Sequence, residues 1–413
     1  MRTTPRTNLP AFLAFSLVVE LLAGITSIPN HINVGYNLFI FILGILTCGF
    51  TVSDVKSYLK WLCLPAAYII TFIIVSYYGV NFAYSVKYHV LYMPFGLAEF
   101  SSWYMVGYFF HERQSFKIFY KVATFFGLGS MLLVLVGLVD PELTRAIYGL
   151  DLPIAMPLTV LFGDIIFGGL IIIISVFSIK KTVVLCTAIG LILPLLLKKS
   201  GKVNDVFGVV KHVYQRKRSI LPMSKGVKTV LLVTLGAVLI TVFFSYMIAT
   251  ITRFSANEDV VRGAIALEFL NQLFSHFPAG TGFYTFGYLT SDVIEYWTFT
   301  ASGDLVNGDG VALHNTFMHF ALEGGLPIII IVIIFYRNFF RAIRFLYRYR
   351  PAKGLAIVLI SWCVISIVYG MFQQLHGTRY FLGIFGFAFG AYERYKRQVK
   401  AEKLILAQNL NQQ

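Results

Sequence analysis

The chain has 413 residues, 57% hydrophobic and 13% charged, with a mean hydropathy of +0.75. Soluble domains carry about 25% charged residues, so this composition excludes an ordinary water-soluble globule and fits a polytopic membrane protein. The net charge of +15 does not mark a nucleic-acid binder, because the basic residues form short clusters between apolar runs, as membrane topology requires.

A spanning helix needs about 20 apolar residues. In chain order, candidate spans are 10–29, 34–53, 58–79, 89–110, 120–139, 156–178, 182–197, 227–252, 316–336, 354–373 and 378–393. The first run lacks a small-residue cleavage pattern and reads as a retained helix, not a signal peptide. The stretch 201–215 mixes Val203, Val206, Phe207 and Val210 with Lys202, Asn204, Asp205 and Lys211, so its reading depends on charge. Arg2 and Arg6, Lys56 and Lys60, Arg113 with Lys117 and Lys121, and Lys180 with Lys181 punctuate alternate connections, which the positive-inside rule assigns to the cytoplasm. The clusters Arg216–Arg218, Arg337–Arg350 and Arg394–Lys403 share that side only if 201–215 crosses too. The pattern predicts an all-α membrane protein of about twelve spans with both termini inside. Spans one to nine occupy 1–252, an external loop 253–313, spans ten to twelve 314–393, and a cytoplasmic tail 394–413.

Cys48, Cys63, Cys186 and Cys363 all fall in apolar segments without CxxC spacing, so neither a disulfide framework nor a zinc site is implied. There is no dinucleotide fingerprint, P-loop, HExxH or EF-hand pattern. No DxD-type acid pair suggests a metal-held sugar nucleotide, and no cofactor or metal is expected.

The external loop is the one long polar interruption. It holds seven acids and two arginines, Arg253 and Arg262, before His314. Ser255 or Asn257 can cap a helix there, whose apolar stripe runs through Val261, Ile265, Phe269, Leu273 and Phe277. Pro278-Ala279-Gly280-Thr281-Gly282 then breaks it in a tight turn.

Three basic centres are expected on the outer side: Arg262, the group Lys198, Lys199 and Lys202, and Arg379 with His376. Singly, each lysine also reads as an interfacial side chain that snorkels. Together they suit a diphosphate, for which arginine offers a planar fork and lysine a point charge. His314, at the start of an apolar helix, is a candidate proton acceptor from a hydroxyl; capping or backbone hydrogen bonding is its alternative role. Asn315 can cap the helix instead, and His319 reads as a packing or bundle hydrogen-bonding residue. Glu323, followed by two glycines and Pro327, can orient a histidine, hold a basic group, or mark a helix break. Asp164, in the sixth span, has no evident partner.

These pieces resemble the bacterial O-antigen polymerase and ligase superfamily of polytopic membrane glycosyltransferases. The resemblance rests on Arg262, on Pro278–Gly282, and on His314-Asn315-Thr316-Phe317 with Glu323-Gly324-Gly325-Leu326. It implies a GT-C-like inner-membrane protein with a periplasmic loop containing short helices. The reaction it implies is an inverting, metal-independent transfer of a glycan from undecaprenyl diphosphate to a hydroxyl of a second glycan. His314 would activate that hydroxyl and Arg262 would stabilise the departing diphosphate. The family's further arginine within a Ser-Arg-Gly-like stretch has Lys199-Ser200-Gly201-Lys202 as its nearest counterpart here, a departure that loses the bidentate fork. His314, Arg262, Lys199, Lys202 and Arg379 are expected to converge on a cavity open to the periplasm and sideways to lipid.

The first expectation is a polymerase, whose acceptor is a second lipid-linked repeat unit. The ligase alternative transfers the glycan to lipid A–core, and a third is a flippase or transporter of lipid-linked glycans. Polar groups gathered at the outer face favour the enzyme, since transporters show paired broken helices near the midplane.

Overall fold

The computed structural model describes residues 42, 52–88, 95–109, 113–135, 151–177, 181–197, 257–283, 285–289, 315–372 and 379–410. All regular structure among them is helical. In order these helices are α1 (Val52–Tyr78), α2 (Phe82–Tyr88), α3 (Phe95–Phe109), α4 (Arg113–Leu135), α5 (Asp151–Phe162), α6 (Ile165–Phe177) and α7 (Lys181–Leu197). After residues outside the described set come α8 (Asn257–His276), α9 (Phe286–Leu289), α10 (Thr316–Leu322), α11 (Gly325–Arg348), α12 (Lys353–Phe372) and α13 (Arg379–Leu410). Among the described residues, α1, α11 and the stretch Arg350–Met371 are long and apolar enough to cross a membrane.

The centre of the bundle is aromatic. Trp61 stacks on Phe389 at 4.1 Å between ring centroids, Tyr68 meets Phe381, and Phe335 meets both Phe381 and Phe385. These pairs also fix direction. Residues rising along α1 meet residues falling along α13, whereas α11 and α13 run together, from Phe335 beside Phe381 to Phe345 beside Tyr392. α3 lies backbone to backbone with α13: a Cβ on Gly386 would stand 2.4 Å from Phe100 O, and one on Gly390 2.1 Å from Tyr104 O. Small residues permit such approach where van der Waals packing has to hold helices together in lipid.

The bundle therefore has two distinct ends. One, the basic end, carries Lys56 and Lys60 of α1, the arginines of α11 and the cations of α13 from Arg394 onward. There Arg397 pairs with Asp54, which also accepts from Tyr108, and Trp61 Nε1 donates to Glu393 at 3.0 Å. The other, the loop end, holds residues 278–283 and 285–289, Asn315 and Glu323.

The sequence-predicted span 156–178 is instead two short helices. α5 and α6 fold back on one another at Gly163 and Asp164: Gly127 meets both Leu152 and Ile174, and a Cβ on Gly168 would lie 3.2 Å from Thr159 Oγ1. Nine residues of continuous helix would set 159 and 168 about 13 Å apart. Gly163 has φ +69°, a conformation that favours glycine. Asp164 does have a partner, because its Oδ2 accepts from Tyr120 OH at 2.8 Å.

The added reversal changes the direction of α7. Cys186 Sγ lies 3.7 Å from Ile365 O, and Gly190 packs on α5 at Pro153 and Met156. The adjoining Ile154 O accepts from Trp362 Nε1 at 2.8 Å. Rising numbers in α7 therefore meet falling numbers in α12, and α7 ends at the basic end. Lys181, grouped by the sequence with the cytoplasmic clusters, begins α7 at the loop end, and this corrects the charge-based reading. With Leu197 already at the basic end, the shared side of the later clusters no longer requires a crossing by 201–215. That segment, with 227–252, lies outside the described residues.

Candidate functional site

The loop end is organised by a helix interruption that the sequence sets up. Pro327 has no N–H, so Glu323 O loses the helical donor four residues on. Leu326 N donates elsewhere, to Pro278 O at 2.9 Å. The two carbonyls left over at the break are taken by the turn that follows α8: Thr281 N donates to Leu322 O and Gly282 N to Glu323 O, both at 3.0 Å. Three backbone bonds thus join the Pro-Ala-Gly-Thr-Gly turn to the Glu-Gly-Gly-Leu-Pro break. The approach is too close for side chains, since a Cβ on Gly325 would stand 2.5 Å from Pro278 O at a φ of +61°.

The same turn is tied to the end of α1. Val80 N donates to Thr281 O at 2.9 Å, and Phe283 N donates to Ser76 Oγ at 2.9 Å. Behind the turn, Thr285 Oγ1 donates within a buried pair to Thr281 Oγ1 at 2.8 Å. These hydroxyls escaped the sequence reading; their signal was the threonine inside the glycine turn, whose docking partner lies over forty residues away.

Glu323 and His319 lie beneath this assembly, 2% and 4% exposed. One turn of α10 brings His319 Nδ1 against Glu323 Oε2, while Glu323 Oε1 accepts from Phe286 N at 3.3 Å. A buried carboxyl group needs such partners. The imidazole is walled by Phe72 and Phe283, at 6.0 and 5.0 Å between ring centroids. His319 accordingly pairs with Glu323 inside the bundle, and Glu323 stands at the helix break. These two are metal-ligand types, but among the described residues no third such side chain joins them.

Asn315 caps α10: its Oδ1 accepts from Phe317 N at 2.9 Å and Met318 N at 3.2 Å, and its Nδ2 donates to Met371 O at 3.1 Å. α8 runs from Asn257 through most of the expected stripe. Phe269 is buried with Leu322 and Phe286, and Leu273 and Met318 pack beside them. Arg262 is in the second turn of α8, about 10 Å along the axis from Phe269. Arg379 opens α13 at the loop end, two residues before Phe381, whose ring meets Phe320. The side chains of Arg262 and Arg379 lie outside the described set, as do His314, His376, Lys198, Lys199 and Lys202 entirely. Leu197, the last described residue before the three lysines, is at the basic end, opposite Asn315.

No protein-family model matches the chain, and no curated protein matches it by sequence.

Proposed function

We propose that the chain is a membrane glycosyltransferase of the surface-polysaccharide polymerase type, working at the loop end of its bundle. The observation that carries this reading is the docking of Pro278–Gly282 onto Glu323–Gly325. Motif pieces far apart in sequence meet there, just after the helix that bears Arg262 and at the end of the short helix whose capped start follows His314. In this reaction the acceptor oxygen attacks the anomeric carbon of an undecaprenyl-diphosphate glycan. The carbon–oxygen bond to the diphosphate breaks with inversion, and His314 takes the hydroxyl proton. Arg262 and Arg379 stabilise the charge that develops on the leaving group. By the positive-inside rule the basic end is cytoplasmic, so the site faces the periplasm from the inner membrane.

A transporter reading draws on two helix interruptions bearing acids, Gly163–Asp164 and Glu323–Gly324. Reconstitution with an undecaprenyl-diphosphate oligosaccharide, with and without lipid A–core, separates the readings. Elongation from the donor alone is expected, and His314→Ala abolishes it. Transfer only with the core present identifies a ligase. No transfer in either case, with His314→Ala indistinguishable from wild type in cells, favours the transporter.

A further inference from the structure

The second half of α11 carries Arg337, Arg341, Arg344 and Arg348, spaced four, three and four residues apart, which puts them on one face of the helix. All four are exposed. Like charges one turn apart repel, and among the described residues no acidic side chain lines the groove beside them. This groove consists of adjoining cavities of ≈ 320 Å³ and ≈ 470 Å³ that share Asn338 and Arg341. The first is closed by Lys60 and Trp61 of α1 and by Tyr392 and Lys396 of α13. Lys60 lies over the Trp61 ring and Lys396 over Tyr392, at 5.7 and 5.5 Å, so aromatic faces hold both ammonium groups at the rim. The carboxylate nearest Lys396, Glu393 at 3.8 Å, already accepts from Trp61 Nε1.

The position of the groove selects its ligand. No charged residue occurs in 61–86, 326–336 or 380–392, and charge resumes at Lys60, Arg337 and Glu393. Three helices therefore leave their apolar stretch at one level, and the groove lies at that level. Moreover, the arginine face of α11 continues towards the loop end as Ile334, Ile330 and Leu326, which are 38%, 48% and 41% exposed. Ile334 itself lines the larger cavity. One helix face thus changes from exposed apolar to exposed cationic within a single turn, matching acyl chains followed by a phosphate headgroup.

We propose that this groove between α1, α11 and α13 is a binding site for an anionic phospholipid of the leaflet at the basic end. Its phosphate sits among Lys60, Arg337, Arg341 and Lys396, and its chains lie along Ile330 and Ile334. Arginine's fork suits phosphate oxygens, and each basic residue near a charged membrane surface contributes about fivefold in affinity. The site is independent of the glycosyltransferase reading and stands or falls separately.

The test is native mass spectrometry of the full chain released from phosphatidylcholine nanodiscs doped with phosphatidylglycerol, compared with Arg341→Gln/Lys396→Gln. Wild type should retain phosphatidylglycerol well above its bulk fraction, and the double variant roughly 25-fold less, whereas Lys400→Gln/Lys403→Gln in the tail should behave as wild type. In a second arm, needing no variant, wild type in neutral detergent is titrated with phosphatidylglycerol, phosphatidylcholine or inorganic phosphate while its thermal unfolding is followed. Stabilisation by phosphatidylglycerol alone supports the site. Equal retention by wild type and groove variant, or equal stabilisation by inorganic phosphate, overturns it, the latter by reducing the groove to a free-anion site.

Discussion

Glu323 is the residue on which the loop end turns. Its backbone carbonyl, freed by Pro327, holds Gly282, and its side chain holds His319 and the Phe286 N–H. Replacing it with alanine leaves a buried backbone donor without an acceptor, which costs about 1–3 kcal/mol. Glu323→Ala is therefore expected to lower the unfolding midpoint in detergent, and Glu323→Gln, which keeps a carbonyl oxygen for Phe286, should lose less than half as much. Equal losses would show that the hydrogen bond to Phe286 carries none of the effect. The sequence offered three roles for this glutamate, and the helix break is the one the structure shows. That was legible because a carboxylate before Gly-Gly-Leu-Pro is costly in any helix. Its backbone donor, Phe286 N, from a helix thirty-seven residues earlier, follows no local rule.

Among the elements, the α5–α6 hairpin is what the sequence concealed. The run 151–178 has one charged residue after Asp151, Asp164, and apolar content alone does not separate one long helix from two short ones. The breaking signal was Gly163-Asp164, a glycine free to turn the chain followed by a residue able to start a helix. The fold predicts a covalent test. A Cβ on Gly168 lies 3.8 Å from the Thr159 Cβ, within the usual disulfide range. Thr159→Cys/Gly168→Cys, with the native cysteines replaced, should therefore oxidise to an intramolecular bridge in membranes. A continuous helix would hold those thiols more than 10 Å apart and give none.

For the molecule as a whole, that one reversal decides sidedness. Positive charge near span ends orients membrane proteins well when the spans are counted correctly, and here one miscounted span misplaced Lys181 and the end of α7. Impermeant maleimide labelling of intact cells reads the result directly. A cysteine replacing Lys181 should react from the same side as one replacing Asn271 in α8, and one replacing Lys353 should react only after permeabilisation. Matching behaviour of the Lys181 and Lys353 positions would restore the uninterrupted span. The helices α1, α12 and α13, by contrast, lie close to where apolar length placed them, with α13 continuing into the tail as one helix of 32 residues, whereas the span expected at 316–336 is broken into α10 and α11.

The sequence by itself determined that the described residues are helical and apolar, where α8 starts and breaks, and that Asn315 caps α10. Each of these follows from local physics: hydropathy over a window, the helical period, a missing N–H at proline, a side-chain oxygen near free backbone donors. The tertiary structure alone decided that α5 turns back on α6, that α7 runs to the basic end, and that the glycine turn closes over Glu323 and His319. Those depend on which carbonyls and N–H groups find one another across tens of residues, and no local pattern specifies the partner of a hydrogen bond made at such a distance.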